Sequence, residues 1–294
     1  MFDAGGQILE GAVAAKGRTE LVWVDGTDAV GFLQGLLTQN VAAMQPGESA
    51  SSLLLAPNGK LRATLTVLRA ESRVGLACDA GRAEIVAGDL ERFRIRVDAT
   101  ISIEDRSIWD VWGTAARDEL PRSVPDGLWW EDDASVVFAM PFRHSSVARL
   151  VVVGAKPALT EVPADALEAF RIRIGEPVMG VDLDERTIPQ EGLAVDTAVD
   201  FDKGCYLGQE LVARIDSRGH VNRRLMGVRF AANAAVAPGA EVLQSGKTVG
   251  AVTSVAAVGD AVIAIGMLRI AVDVGAGVTA GVDEGVVVGF PMTG

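Results

Sequence analysis

The spacing of apolar residues predicts a mixture of helices and strands whose character changes towards the C-terminus. Residues 21–25, Leu-Val-Trp-Val-Asp, read as a buried strand. A helix follows from Gly26-Thr27-Asp28, with Ala29, Phe32, Leu33 and Leu36 on one face and Asn40 marking its end. Residues 51–55 and 61–68 read as two strands around Ala56-Pro57-Asn58-Gly59-Lys60, where Asn-Gly signals a hairpin turn. Val86, Leu90 and Phe93 recur at helical spacing within 83–94, and Ile95, Val97, Ile101 and Ile103 then mark a strand region. Residues 121–143, with Pro125-Asp126-Gly127 and Glu131-Asp132-Asp133, are turn-rich and read as an exposed loop with no assigned function. Pro163 fits the first turn of a helix carrying Leu167, Phe170 and Ile174, which Gly175 and Pro177 end. After Arg224 the pattern becomes short β-like runs at 226–230, 241–243, 248–252 and 262–267, separated by Gly239, Gly246, Gly250 and Gly259. These predict a small β-barrel or sandwich as a separate C-terminal domain.

Composition narrows the class. With 49% hydrophobic residues over 294 positions, the chain can bury one large core or two to three smaller ones. Its 39 acidic against 27 basic residues give a net charge of −12, which favours solubility and opposes general binding to phosphate backbones. No direct nucleic-acid binding is expected. The first residues lack the basic and apolar regions of a secretory signal, and the apolar run 261–265 is too short to span a bilayer before Arg269, so a cytoplasmic protein without a membrane segment is expected. Reduced thiols are then the default for Cys78 and Cys205, and Cys78 reads as a small core residue. So few Cys and His predict no self-contained zinc site.

Two segments carry candidate chemistry. In Lys203-Gly204-Cys205-Tyr206-Leu207-Gly208-Gln209-Glu210 a thiol lies between glycines, beside a lysine, at the opening of a helix. Partial positive charge at a helix start, together with the Lys203 ammonium, favours thiolate at Cys205. Gln209 and Glu210 either orient the thiol or simply cap the helix, and Tyr206 packs on a ligand or on the core. The second segment, 180–192, is acidic and holds Asp184 and Glu191, the latter between Pro189-Gln190 and Gly192. A carboxylate so placed can accept paired N–H bonds from a planar amino-heterocycle such as a pterin or guanine edge, or belong to a solvated acidic loop. Arg214, Arg218, Arg223 and Arg224 supply cations that meet either a ligand carboxylate or the acidic surface, with His220 among them.

The run 203–210, continued by Leu211-Val212-Ala213-Arg214, resembles the signature of the YgfZ-type folate-binding proteins, relatives of the glycine cleavage system T-protein, an aminomethyltransferase. Phe32-Leu33-Gln34-Gly35-Leu36, Pro57-Asn58-Gly59-Lys60, 171–177, Ile188-Pro189-Gln190-Glu191 and 249–254 fit the same family, so the resemblance covers nearly the whole chain. It implies a three-domain α+β ring around a central folate cleft. The implied parts are a discontinuous folate-binding domain of residues 1–55 and 145–224, an inserted domain of 56–144 and a C-terminal β-barrel of 225–294. It also implies tetrahydrofolate or a derivative as cofactor. Glu191 would hold the pterin, with Tyr206, Arg214 and Asp184 assigned to the same ligand, and Cys205 would be the reactive group, supported by Lys203, Gln209 and Glu210. The acidic pair that T-proteins carry just after the Asn58-Gly59 turn is missing, because this chain reads Leu61-Arg62-Ala63-Thr64-Leu65. That departure argues against ordinary aminomethyl transfer.

The function so implied is folate-dependent support of iron–sulfur cluster assembly or repair in client enzymes, including radical enzymes that modify tRNA. One cysteine cannot retain a cluster that usually takes four thiolates, so any cluster contact would be shared with a partner. The alternatives are a folate-dependent one-carbon transferase or demethylase using Cys205 or Asp184, and a module that binds folate only as a sensor or structural ligand.

Overall fold

The computed structural model describes residues 8–141, 146–192, 195–219 and 221–292; His220 and residues 142–143 of the turn-rich segment lie outside these. Two sheets and a barrel make up the molecule. The strands β1 (Ala12–Lys16), β2 (Thr19–Asp25), β3 (Ser49–Leu55), β4 (Leu61–Arg69), β5 (Arg73–Asp79) and β6 (Thr100–Ile103) come first. They are followed by β7 (Ile108–Gly113), β8 (Trp129–Glu131), β9 (Val136–Met140), β10 (Ala148–Val153) and β11 (Thr160–Glu161). One sheet runs β3-β4-β5-β2-β6 and the other β11-β1-β7-β10-β9-β8. The six strands β12 (Arg223–Ala231), β13 (Glu241–Gln244), β14 (Lys247–Val258), β15 (Ala261–Arg269), β16 (Gly277–Ala280) and β17 (Asp283–Val288) close into the expected barrel.

Strand alternation gives the five-stranded sheet two different faces. Val22, Val24, Leu65, Val67, Leu76 and Cys78 point to one side, where helices Ala29–Gln34 and Ala83–Phe93 cover them. Leu21, Trp23, Leu68 and Ala77 point to the other, against Ile108, Phe138, Val151 and Val153 of the six-stranded sheet. A third cluster joins Leu53, Leu55 and Leu61 of the β3–β4 hairpin to Ile172, Leu183, Val212 and the barrel residues Leu225 and Ile265.

Several expectations need correction. The helix after Asp28 is only Ala29–Gln34 and stops at Gly35, while Asn40 accepts a side-chain hydrogen bond from Gln34 at 3.0 Å. Of the strand region 95–103 only β6 is extended. Segment 121–143 is exposed at 121–123, 125–128 and 131–134, but it also supplies β8 and β9, where buried Trp129 packs 6.2 Å from Trp23. The expected boundary between residues 55 and 56 falls inside the β3–β4 hairpin, whose strands share a sheet with β2. The sheets thus group 19–103 together and join 12–16 to 108–161, and the barrel takes 223–288.

Candidate functional site

The thiol loop is fastened to the first helix by backbone and side chain together. Asp200 Oδ1 accepts the N–H groups of Asp202 and Lys203, Asp200 N–H donates to Thr38 O at 3.0 Å, and Leu207 N–H donates to Gly35 O at 3.1 Å. Lys203 reaches beneath the loop and donates to the carbonyls of Gln34, Leu37 and Gln39 at 2.7 to 2.8 Å. A cation at the end of a helix satisfies carbonyls that lack helical partners. Burial lowers the Lys203 pKa to about 8, opposed by the nearby Asp200 carboxylate. Lys203 therefore acts as a staple, its ammonium donating to three main-chain oxygens.

The other anchor is the Asn58-Gly59 turn. Gly59 (φ +78°) and Gly208 (φ +80°) meet back to back: a Cβ on Gly59 would fall 2.9 Å from Gly208 O, and one on Gly208 2.6 Å from Ala56 O. No residue but glycine fits either position without displacing main chain. Gln209 caps the chain reversal by accepting the Tyr206 N–H at 3.0 Å, and Glu210 is exposed in the first turn of helix Gln209–Arg218. On this rigid support Cys205 is exposed, next to Gly204, around which no atom lies within 4 Å of a would-be Cβ.

A cavity of about 270 Å³ lies elsewhere, where the interface between the two sheets turns from apolar to polar. Register explains its wall. Ser51 pairs with Thr66, Leu53 with Thr64, Thr66 with Ala77 and Asp79 with Thr19, so Ser51, Thr64, Thr66 and Asp79 share the face that carries Leu21 and Ala77 deeper in. Arg149 and Glu176 line the cavity from the opposite side. Arg149 donates to Asp110 Oδ1 at 3.0 Å and to the Thr19 hydroxyl at 3.1 Å. Burial raises the Asp79 carboxyl above its ordinary pKa, against the opposing pull of Arg149, the Met179 N–H and Arg18.

None of the four residues assigned to the pterin lines this cavity. Glu191 is only 5% exposed, and its carboxylate accepts Arg223 Nε at 2.8 Å, Arg223 Nη2 at 3.1 Å and the Ile188 N–H at 3.2 Å; its neighbour Gly192 forms part of the wall. Asp184 is held by Arg186 and Thr187, which keep its carboxyl below the ordinary range against the upward push of partial burial. Tyr206 is half-buried against the cluster that joins hairpin and barrel, and burial raises its pKa. Arg214 is exposed on helix Gln209–Arg218. The residues missed from sequence are Asp79 and Arg149. The signal at Arg149 is a lone charge on an otherwise apolar strand, whereas Asp79 shares its strand and phase with Arg73.

Residues 222–290 match the family described as the CAF17 C-terminal beta-barrel domain. The human mitochondrial iron-sulfur cluster assembly factor IBA57 is 29% identical over 276 residues, which cover 84% of this chain and 76% of that protein. The tRNA-modifying protein YgfZ of Yersinia enterocolitica is 28% identical, covering 76% and 72%. An IBA57 homologue from Pyricularia oryzae is 26% identical, and the chain spans 56% of its length, a little over half. The crystal structure of the glycine cleavage system aminomethyltransferase T from Bartonella henselae superposes with a TM-score of 0.85 at 19% identity, covering 98% of this chain and 88% of that one. The chain is therefore similar in sequence to the YgfZ and IBA57 proteins and has the fold of aminomethyltransferase T.

Proposed function

We propose that this protein binds a reduced folate between its two sheets and supports iron–sulfur cluster assembly or repair in client enzymes, which it meets through Cys205. The observation that carries this reading is the separation of the two features: an exposed thiol on an anchored loop, and a mainly apolar cavity with a few polar groups that the thiol does not line. A thiol that served only a bound ligand would be expected to line that ligand's cavity, whereas an exposed one is accessible to another protein. The names of the relatives, an iron–sulfur assembly factor and a tRNA-modifying protein, support the same reading.

The cavity suits the head of a folate. Its volume falls just under the roughly 300–1,000 Å³ of pockets that enclose whole drug-sized ligands, which fits a pterin ring with the aminobenzoyl-glutamate tail outside. Asp79 and Arg149 supply an acceptor and a donor at its wall. Glu191, locked by Arg223, holds the turn whose Gly192 forms the wall and so acts on the ligand through backbone position. Asp184 steadies the same segment through Arg186 and Thr187, Tyr206 supports the loop from the core, and Arg214 belongs to the client surface. A cluster handled by Cys205 is cargo shared with client thiolates.

One observation favours the rival reading, a one-carbon transferase or demethylase: a carboxyl does reach the cavity, at Asp79. A defined amine substrate turned over by the purified protein would establish it. The direct test of the proposal is cellular. Cells lacking the protein are expected to lose activity in a subset of iron–sulfur enzymes and to regain it when the chain is supplied in trans; unchanged activities would contradict it.

A further inference from the structure

A larger cavity, of about 620 Å³, lies between the acidic segment and the barrel. Strand β14 forms one wall and is bulged twice within five residues. Its register skips Val249 on the β13 side and Thr253 on the β15 side, and both residues line the cavity. Bulges re-aim side chains and gather beside binding sites. The second one accompanies the hydrogen bond from the Thr253 hydroxyl to Asp182 Oδ1 at 2.6 Å. Between the bulges, Gly250 lies so close to β15 that a Cβ would overlap Met267 O, so this part of the wall is bare main chain.

The charges on the cavity wall do not balance. Arg223 and Arg269 pair directly across β12 and β15, so their side chains leave the same face with Cβ atoms about 4.5–5.5 Å apart. Like charges so placed destabilise a ladder. Arg223 is ion-paired with Glu191 and Arg186 with Asp184. The Arg269 side chain is exposed and has no hydrogen bond or ion pair among the described residues. The lining therefore holds three guanidiniums against the carboxylates of Asp182 and Asp184, and Asp182 is already committed to buried Arg171. In a chain of net charge −12, this local excess of cation at a concave site favours an anion.

We propose that this cavity is a second ligand site, which takes a small organic anion through a carboxylate or phosphate group. Arg269 binds the anionic group, because a guanidinium presents its N–H groups as a fork that matches two such oxygens. Arg223 stands opposite on the neighbouring strand, and the anion relieves the repulsion between the two. The rest of the ligand covers Val249 and Met267, an apolar part of the lining that a bare inorganic ion would leave uncovered. The volume falls within the roughly 300–1,000 Å³ of pockets that enclose drug-sized ligands. The cavity between the sheets shares no lining residue with this one: Leu183 lines the former, while Asp182 and Asp184 on either side of it line the latter. The inference therefore stands apart from the folate reading.

The test is calorimetric titration of citrate, adenosine 5′-monophosphate and inorganic phosphate, each alone, into the full-length wild-type protein and Arg269→Ala. Saturable binding of citrate would identify a carboxylate ligand, and of the nucleotide a phosphate ester. Whichever binds the wild type should lose about tenfold or more in affinity in Arg269→Ala, the loss expected when a charged hydrogen-bonding partner is removed. The variant's melting temperature should not change, because the side chain is exposed. No saturable binding of either organic anion, or equal affinity in the two proteins, would overturn the site. Inorganic phosphate binding as tightly as the organic anions would overturn the organic ligand. Tetrahydrofolate titrated into the same two proteins is read separately: its failure to bind would count against the folate reading alone.

Discussion

Replacing Cys205 by alanine is expected to leave the melting temperature and tetrahydrofolate affinity unchanged and to abolish restoration of client-enzyme activity in cells lacking the protein. The side chain is exposed, on a loop held by Lys203, Asp200 and the Gly59–Gly208 contact, so no packing is lost when its sulfur is removed. Surface substitutions of this kind usually shift stability by no more than about 0.5 kcal/mol. Function should nevertheless disappear, because Cys205 is the one cysteine open to a partner while Cys78 is buried in the core, where burial pushes its thiol strongly upward. Serine at 205 should fail as alanine does, since a hydroxyl neither ionises near neutrality nor binds iron as thiolate does. Cluster-enzyme activity that survived in either variant would sink the thiol mechanism.

The largest loss of stability is expected from Asp182→Ala. Arg171, on helix Glu168–Ile174 and only 2% exposed, donates to Asp182 Oδ2 at 2.6 Å, to Ser254 at 2.7 Å and to Glu168 at 2.8 Å. The second carboxylate oxygen of Asp182 accepts the hydroxyls of Thr253 and Ser254 on β14 at 2.6 and 2.7 Å. One buried ion pair therefore ties helix, acidic segment and barrel together. Removing Asp182 leaves the buried guanidinium with Glu168 as its remaining carboxylate partner and takes the acceptor from Thr253 and Ser254, at a cost of about 3 kcal/mol. Urea unfolding should show this loss, and the double variant Arg171→Met/Asp182→Leu should recover part of it, because no charge is then left unpaired. A loss under about 1 kcal/mol in the single variant would show that water relieves the charge and that the lock is weak.

Local signals in the sequence proved dependable where one residue type has a single physical solution. The Asn58-Gly59 turn, the left-handed Gly175 after helix Glu168–Ile174 and the glycine-punctuated runs of the barrel all appear where the pattern places them. The thiol loop was legible for the same reason at Gly208, which close backbone approach requires, whereas Gly204 beside the thiol stands in open space. Sheet membership was not legible, because β1 pairs with β7 and β11 across most of the N-terminal half, and no local pattern encodes such partners. The same limit hid the cavity. Asp79 and Arg149 lie 70 residues apart in sequence and meet only when two sheets close face to face. Lys203 adjoins the thiol loop's Gly204 in sequence, but the three carbonyls it binds, of Gln34, Leu37 and Gln39, lie more than 160 residues away along the chain, so no local pattern encodes them.

Calorimetric titration of tetrahydrofolate into the wild-type protein and Cys205→Ala under reducing conditions tests most directly the claim that ligand cavity and thiol are separate. Equal affinity in the two proteins is the predicted result. Absence of binding in both, or binding that depends on the sulfur, would contradict it.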